Sequence, residues 1–335
     1  MRICIYGAGA VGGNFAARLA RAGIDVTMIA RGAHLEAMQQ RGLTVTAGDE
    51  RIHVRPFATD DPRRAGPQDA VIVTLKAPAL GPTVAAMQPL LGPETPVVYA
   101  TNGVPWWYFH GHEGPLAERR LTRLDPAGDL WDRLPVSRAI GGVIYSANEL
   151  LAPGVVRNNS PTRNRLVMGE PVGGPSPRAE RLADVLRQGG IDASVVPDIR
   201  VAVWTKLMGN LAWNPMCAVT GLNIREMATQ EPLRDLARAI LEEGERVAAA
   251  LGIQVAETVE ERMKRAGKGS PGGAHKPSML QDFEVKRQAE IDAIVLAVQD
   301  FARELGVPTP ALDAVAALTV GRAQSLGIYP LPEAA

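Results

Sequence analysis

The chain is short of every feature that would tie it to an extracellular, membrane or nucleic-acid setting. Only two of its 335 residues are cysteine, Cys4 and Cys217. Neither stands in a metal-ligand spacing, no metal site is expected, and both are read as reduced, structural thiols of a cytoplasmic protein. Aromatic residues make up only 4%, which suits a sheet covered by alanine- and leucine-rich helices better than an all-β sandwich. No charge of one sign is in excess: Lys+Arg and Asp+Glu both total 36. Nothing is left over to hold a phosphate polymer, so no nucleic-acid partner is expected. No run approaches the roughly 18 apolar residues of a membrane span, so no membrane association is expected. Met1-Arg2-Ile3-Cys4-Ile5-Tyr6 leads straight into a strand and a glycine turn, where a secretory leader would place a charged stretch and an apolar helix.

What is present is an ordinary globular composition, 46% apolar and 21% charged. A chain of 335 residues exceeds what one small core supports. Two domains are expected, residues 1–196 of Rossmann type and residues 197–335 mainly α-helical, giving an α/β protein with a helical C-terminal half.

The first half opens on a strand over residues 3–6, then Gly7-Ala8-Gly9-Ala10-Val11-Gly12-Gly13, an amphipathic run over 14–22, and a second strand over 25–30. This is strand, G-x-G-x-x-G, helix, strand at the length of a dinucleotide-binding βαβ unit. Gly7 permits the tight turn, Gly9 lets backbone approach a pyrophosphate, and Gly12 lets the helix pack on the strand. The pyrophosphate is expected at the helix N-terminus, where N–H groups and the dipole favour negative charge.

The end of the second strand bears on the choice of cofactor. Enzymes using NAD usually carry Asp or Glu there for the ribose 2′-hydroxyl. This chain has Ala30-Arg31-Gly32 and no carboxylate until Glu36. Arg31 can pair with a 2′-phosphate, so NADPH is the expected cofactor; the alternative is an arginine facing solvent.

Strands over 69–74 and 96–100 each end in a polar element, Leu75-Lys76-Ala77 and Thr101-Asn102-Gly103. In open α/β sheets ligands bind beyond the carboxyl ends of the strands, which makes Lys76 and Asn102 candidates for contact with cofactor and substrate. Lysine is rare here, six against thirty arginines. Pro105-Trp106-Trp107-Tyr108-Phe109 then opens an irregular excursion as far as Pro135. It reads as an apolar wall for substrate at the mouth of the site, or else as a loop anchored by its aromatics or a subunit contact. His110 and His112 lie in it without a third ligand. Strands over 139–146, 154–157 and 165–168 are expected to complete the sheet, with a helix over 177–188.

In the second half the chemistry lies in Trp204-Thr205-Lys206-Leu207-Met208-Gly209-Asn210-Leu211-Ala212-Trp213-Asn214-Pro215. Lys206, Asn210 and Asn214 are spaced i, i+4, i+8, along one face of an otherwise apolar helix. Buried amides and an ammonium need polar partners, and a bound carboxylate and carbonyl would supply them; snorkelling of Lys206 and backbone bonds of the asparagines are the alternative. A lysine in a dry cleft has its charged form destabilised, which favours proton donation to a carbonyl oxygen. Pro215 leaves room for a kink. Ser278 and Gln281 have capping-box spacing, and Glu290 heads an apolar helix over 291–305. Twelve helical residues span about 18 Å, so Ser278 and Glu290 meet one small molecule only if the chain breaks between them.

With these residues in view, the chain resembles the ketopantoate reductase (2-dehydropantoate 2-reductase) family nearly end to end. The likeness is carried by Gly7-Ala8-Gly9-Ala10-Val11-Gly12, Arg31, Thr74-Leu75-Lys76, Asn102-Gly103, Trp204-Thr205-Lys206-Leu207 with Asn210 and Asn214-Pro215, and Ser278-Met279-Leu280-Gln281-Asp282 with Glu290-Ile291-Asp292. The resemblance implies NADPH delivering hydride to the ketone carbon of a 2-oxo acid, with 2-dehydropantoate first and pantothenate biosynthesis as the setting. It implies Lys206 as general acid and Glu290 as holding a substrate hydroxyl. Asn102, Asn210, Asn214 and Ser278 would bind the substrate, and Lys76 and Asn102 would lie between it and the cofactor. By analogy with the family the helical half is a candidate homodimer surface. The stretch from Trp106 to Pro135 is bulkier than the family core, which leaves a different 2-oxo acid open as substrate. A non-catalytic NADP-binding sensor would have no use for Lys206 or Glu290.

Overall fold

The computed structural model describes residues 1–268 and 276–331. The chain forms two compact units. One comprises Met1–Thr101, Pro105–His112 and Leu116–Ile199, and the other Asn102–Val104, Glu113–Pro115 and everything from Arg200 onward.

The first unit begins β1 (Arg2–Tyr6), α1 (Ala10–Arg21), β2 (Asp25–Ile29), α2 (Gly32–Arg41), a hairpin of β3 (Leu43–Ala47) and β4 (Glu50–Val54), and β5 (Phe57–Thr59). It continues through β6 (Ala70–Val73), the short α3 (Val84–Met87), β7 (Val97–Tyr99) and the short α4 (Asp129–Arg133). It ends with β8 (Ala139–Tyr145), β9 (Asn148–Ala152), β10 (Val155–Asn158), β11 (Arg165–Gly169), α5 (Pro177–Gln188) and β12 (Asp192–Val195).

Eight of these strands make one sheet in the order β12-β11-β8-β7-β6-β1-β2-β5. The run from β8 to β5 is parallel throughout, and β11 turns antiparallel against β8. β6 reads Ala-Val-Ile-Val and β7 Val-Val-Tyr, buried along their whole lengths. Continuous apolar strands of this kind belong to a parallel sheet covered on both faces. Ile3, Ile5, Phe15, Leu19, Val98 and Ile140 are completely buried members of the resulting core. The fold is the expected Rossmann-type arrangement.

Residues 154–157, expected to complete that sheet, instead fall in a second sheet of order β4-β3-β10-β9. β3 alternates buried and half-buried positions, the pattern of a strand with one covered face. The covering is α1: Gly13 has no side chain because one would come within 3.1 Å of Val156 Cγ2 on β10.

The aromatic stretch is resolved in favour of anchoring. Trp106, Trp107, Tyr108 and Phe109 are each 2% exposed or less. A Cβ on Gly141 of β8 would lie 2.6 Å from the Trp107 ring, and Trp106 meets Tyr99 edge-on. These side chains fill the interior of the first unit and offer no apolar wall. His112 is buried against Phe109, and among the described residues no group of three or more potential metal-binding side chains occurs.

The second unit is helical: α6 (Ile199–Thr220), α7 (Ile224–Ala228), α8 (Glu231–Ala250), α9 (Val259–Lys268), α10 (Ser278–Glu284), a π-helical turn (Asp292–Leu296), α11 (Ala297–Glu304) and α12 (Pro310–Ser325). α6 carries on past Pro215. Its Trp204, Leu207, Met208, Leu211, Ala212 and Trp213 are buried, and Gly244 of α8 admits it so closely that a Cβ there would be 2.9 Å from Leu211 Cδ2. Buried Glu243 accepts the N–H groups of Ala311 and Leu312 at 2.9 and 2.8 Å, placing a carboxylate at the positive end of α12. Among the described residues no helix is long and apolar enough to cross a membrane.

Candidate active site

In the first unit the turn between β1 and α1 has the construction the glycine pattern predicts. Gly7 sits at φ +98°, a left-handed conformation that glycine adopts without strain. The N–H groups of Gly7 and Ala8 both donate to Ile29 O, at 3.1 and 3.0 Å. Thr74 Oγ1 donates to Gly7 O at 2.7 Å. A Cβ on Gly12 would lie 2.5 Å from that hydroxyl and 2.6 Å from Gly7 O, so helix and strand touch there.

Gly9 differs: among the described residues nothing lies within 4 Å of where its Cβ would be. It precedes α1, which has no side-chain cap and no acidic residue in its first turn. The opening N–H groups of a helix have no intrahelical acceptor, so Ala10, Val11 and Gly12 present donors and a positive dipole end to an open backbone surface. These residues fit the pyrophosphate of a dinucleotide.

Arg31 immediately precedes α2 in extended conformation, exposed, at φ −147°. Burial pushes the Tyr6 hydroxyl's pKa up, Cys4 adds to that shift and the Arg31 charge opposes it. Lys76 stands three residues beyond the end of β6, half-buried, at the start of a 3₁₀ turn.

In the second unit three candidates meet. Lys206 Nζ donates to Asn102 Oδ1 at 2.7 Å, and Asn102 Nδ2 donates to Glu290 Oε2 at 2.8 Å. The chemistry fixes the amide's orientation, since an ammonium has only donors and an ionised carboxylate only acceptors. Glu290 is 4% exposed, a buried carboxylate.

Asn102 reaches this position because Gly103 allows an unusually close approach. At φ +82°, a Cβ on Gly103 would be 2.4 Å from Ala293 O, and Val104 N–H donates to that carbonyl at 2.7 Å. Ala293 belongs to the π-helical turn that follows Glu290. Turns of this type inside helices concentrate at functional sites.

Asn210 is half-buried one turn beyond Lys206 on α6, and Asn214 one turn further is 3% exposed. Asn214 Nδ2 has no hydrogen-bond partner among the described residues. An amide left so is costly unless a ligand meets it. Ser278 is exposed in the first turn of α10 with Pro277 at the cap position, and Gln281 Nε2 donates to Lys276 O; no capping box forms. The chain breaks between Ser278 and Glu290, as their separation requires. α10 stops at Glu284, Lys286 is left-handed, and Arg287 folds back onto Asp282, Nε to Oδ1 at 2.8 Å.

Comparison with known proteins places this arrangement. The family model described as Ketopantoate reductase PanE/ApbA matches residues 3–172, and the model described as Ketopantoate reductase PanE/ApbA C terminal matches residues 198–323. A 2-dehydropantoate 2-reductase of Mesorhizobium japonicum is 44% identical over 330 residues, 98% of this chain and all of that one. The chain belongs to the ketopantoate reductase family. It is an oxidoreductase.

Two crystal structures of the family agree with the fold. A candidate ketopantoate reductase from Ralstonia solanacearum is 38% identical with a TM-score of 0.91, covering 98% of this chain and 99% of that one. A PanE/ApbA family ketopantoate reductase from Ralstonia eutropha is 27% identical with a TM-score of 0.82, covering 98% and 100%. Within this ketopantoate reductase fold, sequence reasoning assigned no task to Thr74 or Gly103. The Thr74 bond joins residues 67 apart, and the Gly103–Ala293 approach joins residues far more distant in the chain. No local pattern reports either.

Proposed function

We propose that the chain reduces 2-dehydropantoate to pantoate with NADPH. In this reading residues 1–196 hold the dinucleotide, and residues 197–335 together with Asn102 hold the 2-oxo acid. Gly7, Ala8, Gly9, Ala10, Val11 and Gly12 receive the pyrophosphate, Arg31 the 2′-phosphate, and Lys76 stands on the cofactor side of the substrate. When bound, NADPH would supply the hydride for the ketone carbon and leave as NADP⁺. The Lys206 ammonium gives its proton to the ketone oxygen as that oxygen takes up the carbonyl electron pair. Solvent then reprotonates Lys206, so one proton is consumed per ketone reduced.

The observation that carries the reading is the chain of bonds Lys206–Asn102–Glu290. Asn102 Oδ1 fixes the Lys206 ammonium, a donor group suited to polarising a carbonyl. Glu290, fixed by Asn102 Nδ2, accepts a substrate hydroxyl. Asn214, buried with its Nδ2 unanswered among the described residues, supplies a donor suited to a carboxylate, with Asn210 and Ser278 completing the polar contacts. A hydroxyl-bearing substrate is thereby favoured over a plain 2-oxo acid, because a site built to hydrogen-bond a substrate hydroxyl discriminates against the analogue lacking it.

The test is NADPH oxidation against a panel of 2-oxo acids with and without a distal hydroxyl. 2-Dehydropantoate should give the highest kcat/KM. NADPH binding with no turnover of any member would overturn the proposal, and a better substrate lacking the hydroxyl would overturn the role of Glu290.

A further inference from the structure

His34, on the first turn of α2 and half-buried, has both ring nitrogens engaged, and the two bonds together fix its proton. The N–H of Gly154 lies 2.9 Å from Nδ1. A backbone N–H only donates, so Nδ1 carries the lone pair. Nε2 is 2.7 Å from the carbonyl oxygen of Ala8, which only accepts, so Nε2 carries the hydrogen. The ring is the neutral Nε2–H tautomer. Protonating it would set N–H against N–H at Gly154, and burial favours the same neutral form, with the Ala8 carbonyl acting in the opposite sense.

The carbonyl that His34 holds is in the glycine turn itself. Ala8 N–H is tied to Ile29 O and Gly9 N–H to Gly7 O, at 3.0 and 2.7 Å, while Gly7 O also receives the Thr74 hydroxyl. The Ala8–Gly9 peptide is therefore held at its N–H by the turn and at its C=O by His34. Among the described residues Gly9 meets nothing within 4 Å on its Cβ side, so none of their side chains resists rotation of that peptide. A rotated peptide would turn a carbonyl dipole towards the place where the α1 N–H groups receive an anion, and the two would repel.

We propose that His34 is a positioning residue of the dinucleotide site: it pins the Ala8 carbonyl, so that N–H groups and no carbonyl oxygen face the pyrophosphate. Through Gly154 it anchors that turn to the loop between β9 and β10. The inference rests on the reading of the glycine turn as the NADPH site.

The experiment uses the full chain and two variants, His34→Leu and His34→Gln, with NADPH affinity by calorimetry, steady-state kinetics, and thermal unfolding without cofactor. A single hydrogen bond of about 1.4 kcal/mol corresponds to about tenfold in affinity. His34→Leu should raise Kd and KM for NADPH about tenfold, with kcat at saturating NADPH within about twofold of wild type. His34→Gln, which keeps one donor and one acceptor, should recover most of the affinity. In ¹⁵N spectra of the wild type, the His34 ring should show a protonated Nε2 whose signal moves on adding NADPH. Unchanged NADPH affinity in His34→Leu, or a ring signal indifferent to bound NADPH, overturns the proposal. Loss of affinity in both variants in step with a lowered melting temperature also overturns it, since that marks a structural role. A wild type that does not bind NADPH would defeat the dinucleotide reading itself, an outcome distinct from the others.

Discussion

Asn102 turns its two amide atoms to opposite charges, Oδ1 to the Lys206 ammonium at 2.7 Å and Nδ2 to the Glu290 carboxylate at 2.8 Å. The one amide thus fixes both a cation and an anion. Asn102→Asp replaces the donor facing Glu290 by an oxygen and removes the amide's polarity. Hydrogen bonds to charged groups contribute about 1.5–3 kcal/mol each, so kcat/KM should fall by about 10- to 100-fold. Asn102→Ala should fall similarly with less change in stability. Steady-state kinetics beside thermal melts checks both, and an unimpaired Asn102→Asp enzyme would remove the amide from the mechanism.

Arg31, to which the proposed function gives the 2′-phosphate, is exposed, with no acidic residue in the first turn of α2. Arg31→Ala should weaken NADPH about tenfold or more, the range of one lost charge-assisted pair, and leave NADH nearly unchanged. The ratio of KM values for the two cofactors is the measurement. Equal losses for both would contradict the assignment.

Gly103→Ala introduces a Cβ 2.4 Å from the Ala293 carbonyl oxygen at φ +82°. Both the clash and the left-handed backbone disfavour it. Stability should fall by about 1–3 kcal/mol in chemical denaturation. Because the shift carries Asn102 away from Glu290, kcat should fall in the folded fraction as well. A variant with wild-type kcat would show that the close approach does not set the position of Asn102.

His34 yields a prediction for stability against pH. Burial holds its pKa below the ordinary imidazole value of about 6.5. The unfolded chain therefore binds the proton more readily than the folded one between those two values. Stability is complete above about pH 6.5 and declines as the pH falls towards the lowered value. The melting temperature of wild type should drop over this range more than that of His34→Gln, and parallel curves would contradict the neutral-ring assignment.

Much of the fold is legible in the sequence, because its signals are local. The glycine pattern before α1, the wholly apolar Ala70–Val73 and the periodicity of Pro177–Gln188 each lie within one element. The second sheet was not foreseen, since Val155–Asn158 reads as a strand without saying which neighbour it pairs with, and that neighbour is Leu43–Ala47. The aromatic cluster at Trp106–Phe109 names its chemistry but not its direction, and burial decided for the interior. At the candidate site the spacing of Lys206, Asn210 and Asn214 is written along one helix. The joining of Lys206 to Asn102 across 104 positions, and of Asn102 to Glu290 across 188, depends on tertiary packing.

The central claim is that the Lys206 ammonium gives the proton to the ketone oxygen. Its most direct test is single-turnover reduction of 2-dehydropantoate by Lys206→Ala preloaded with NADPH. A positioned general acid contributes about 10²- to 10⁴-fold, so the rate should fall by that factor while NADPH affinity and melting temperature stay near wild type. An unchanged single-turnover rate would contradict the account.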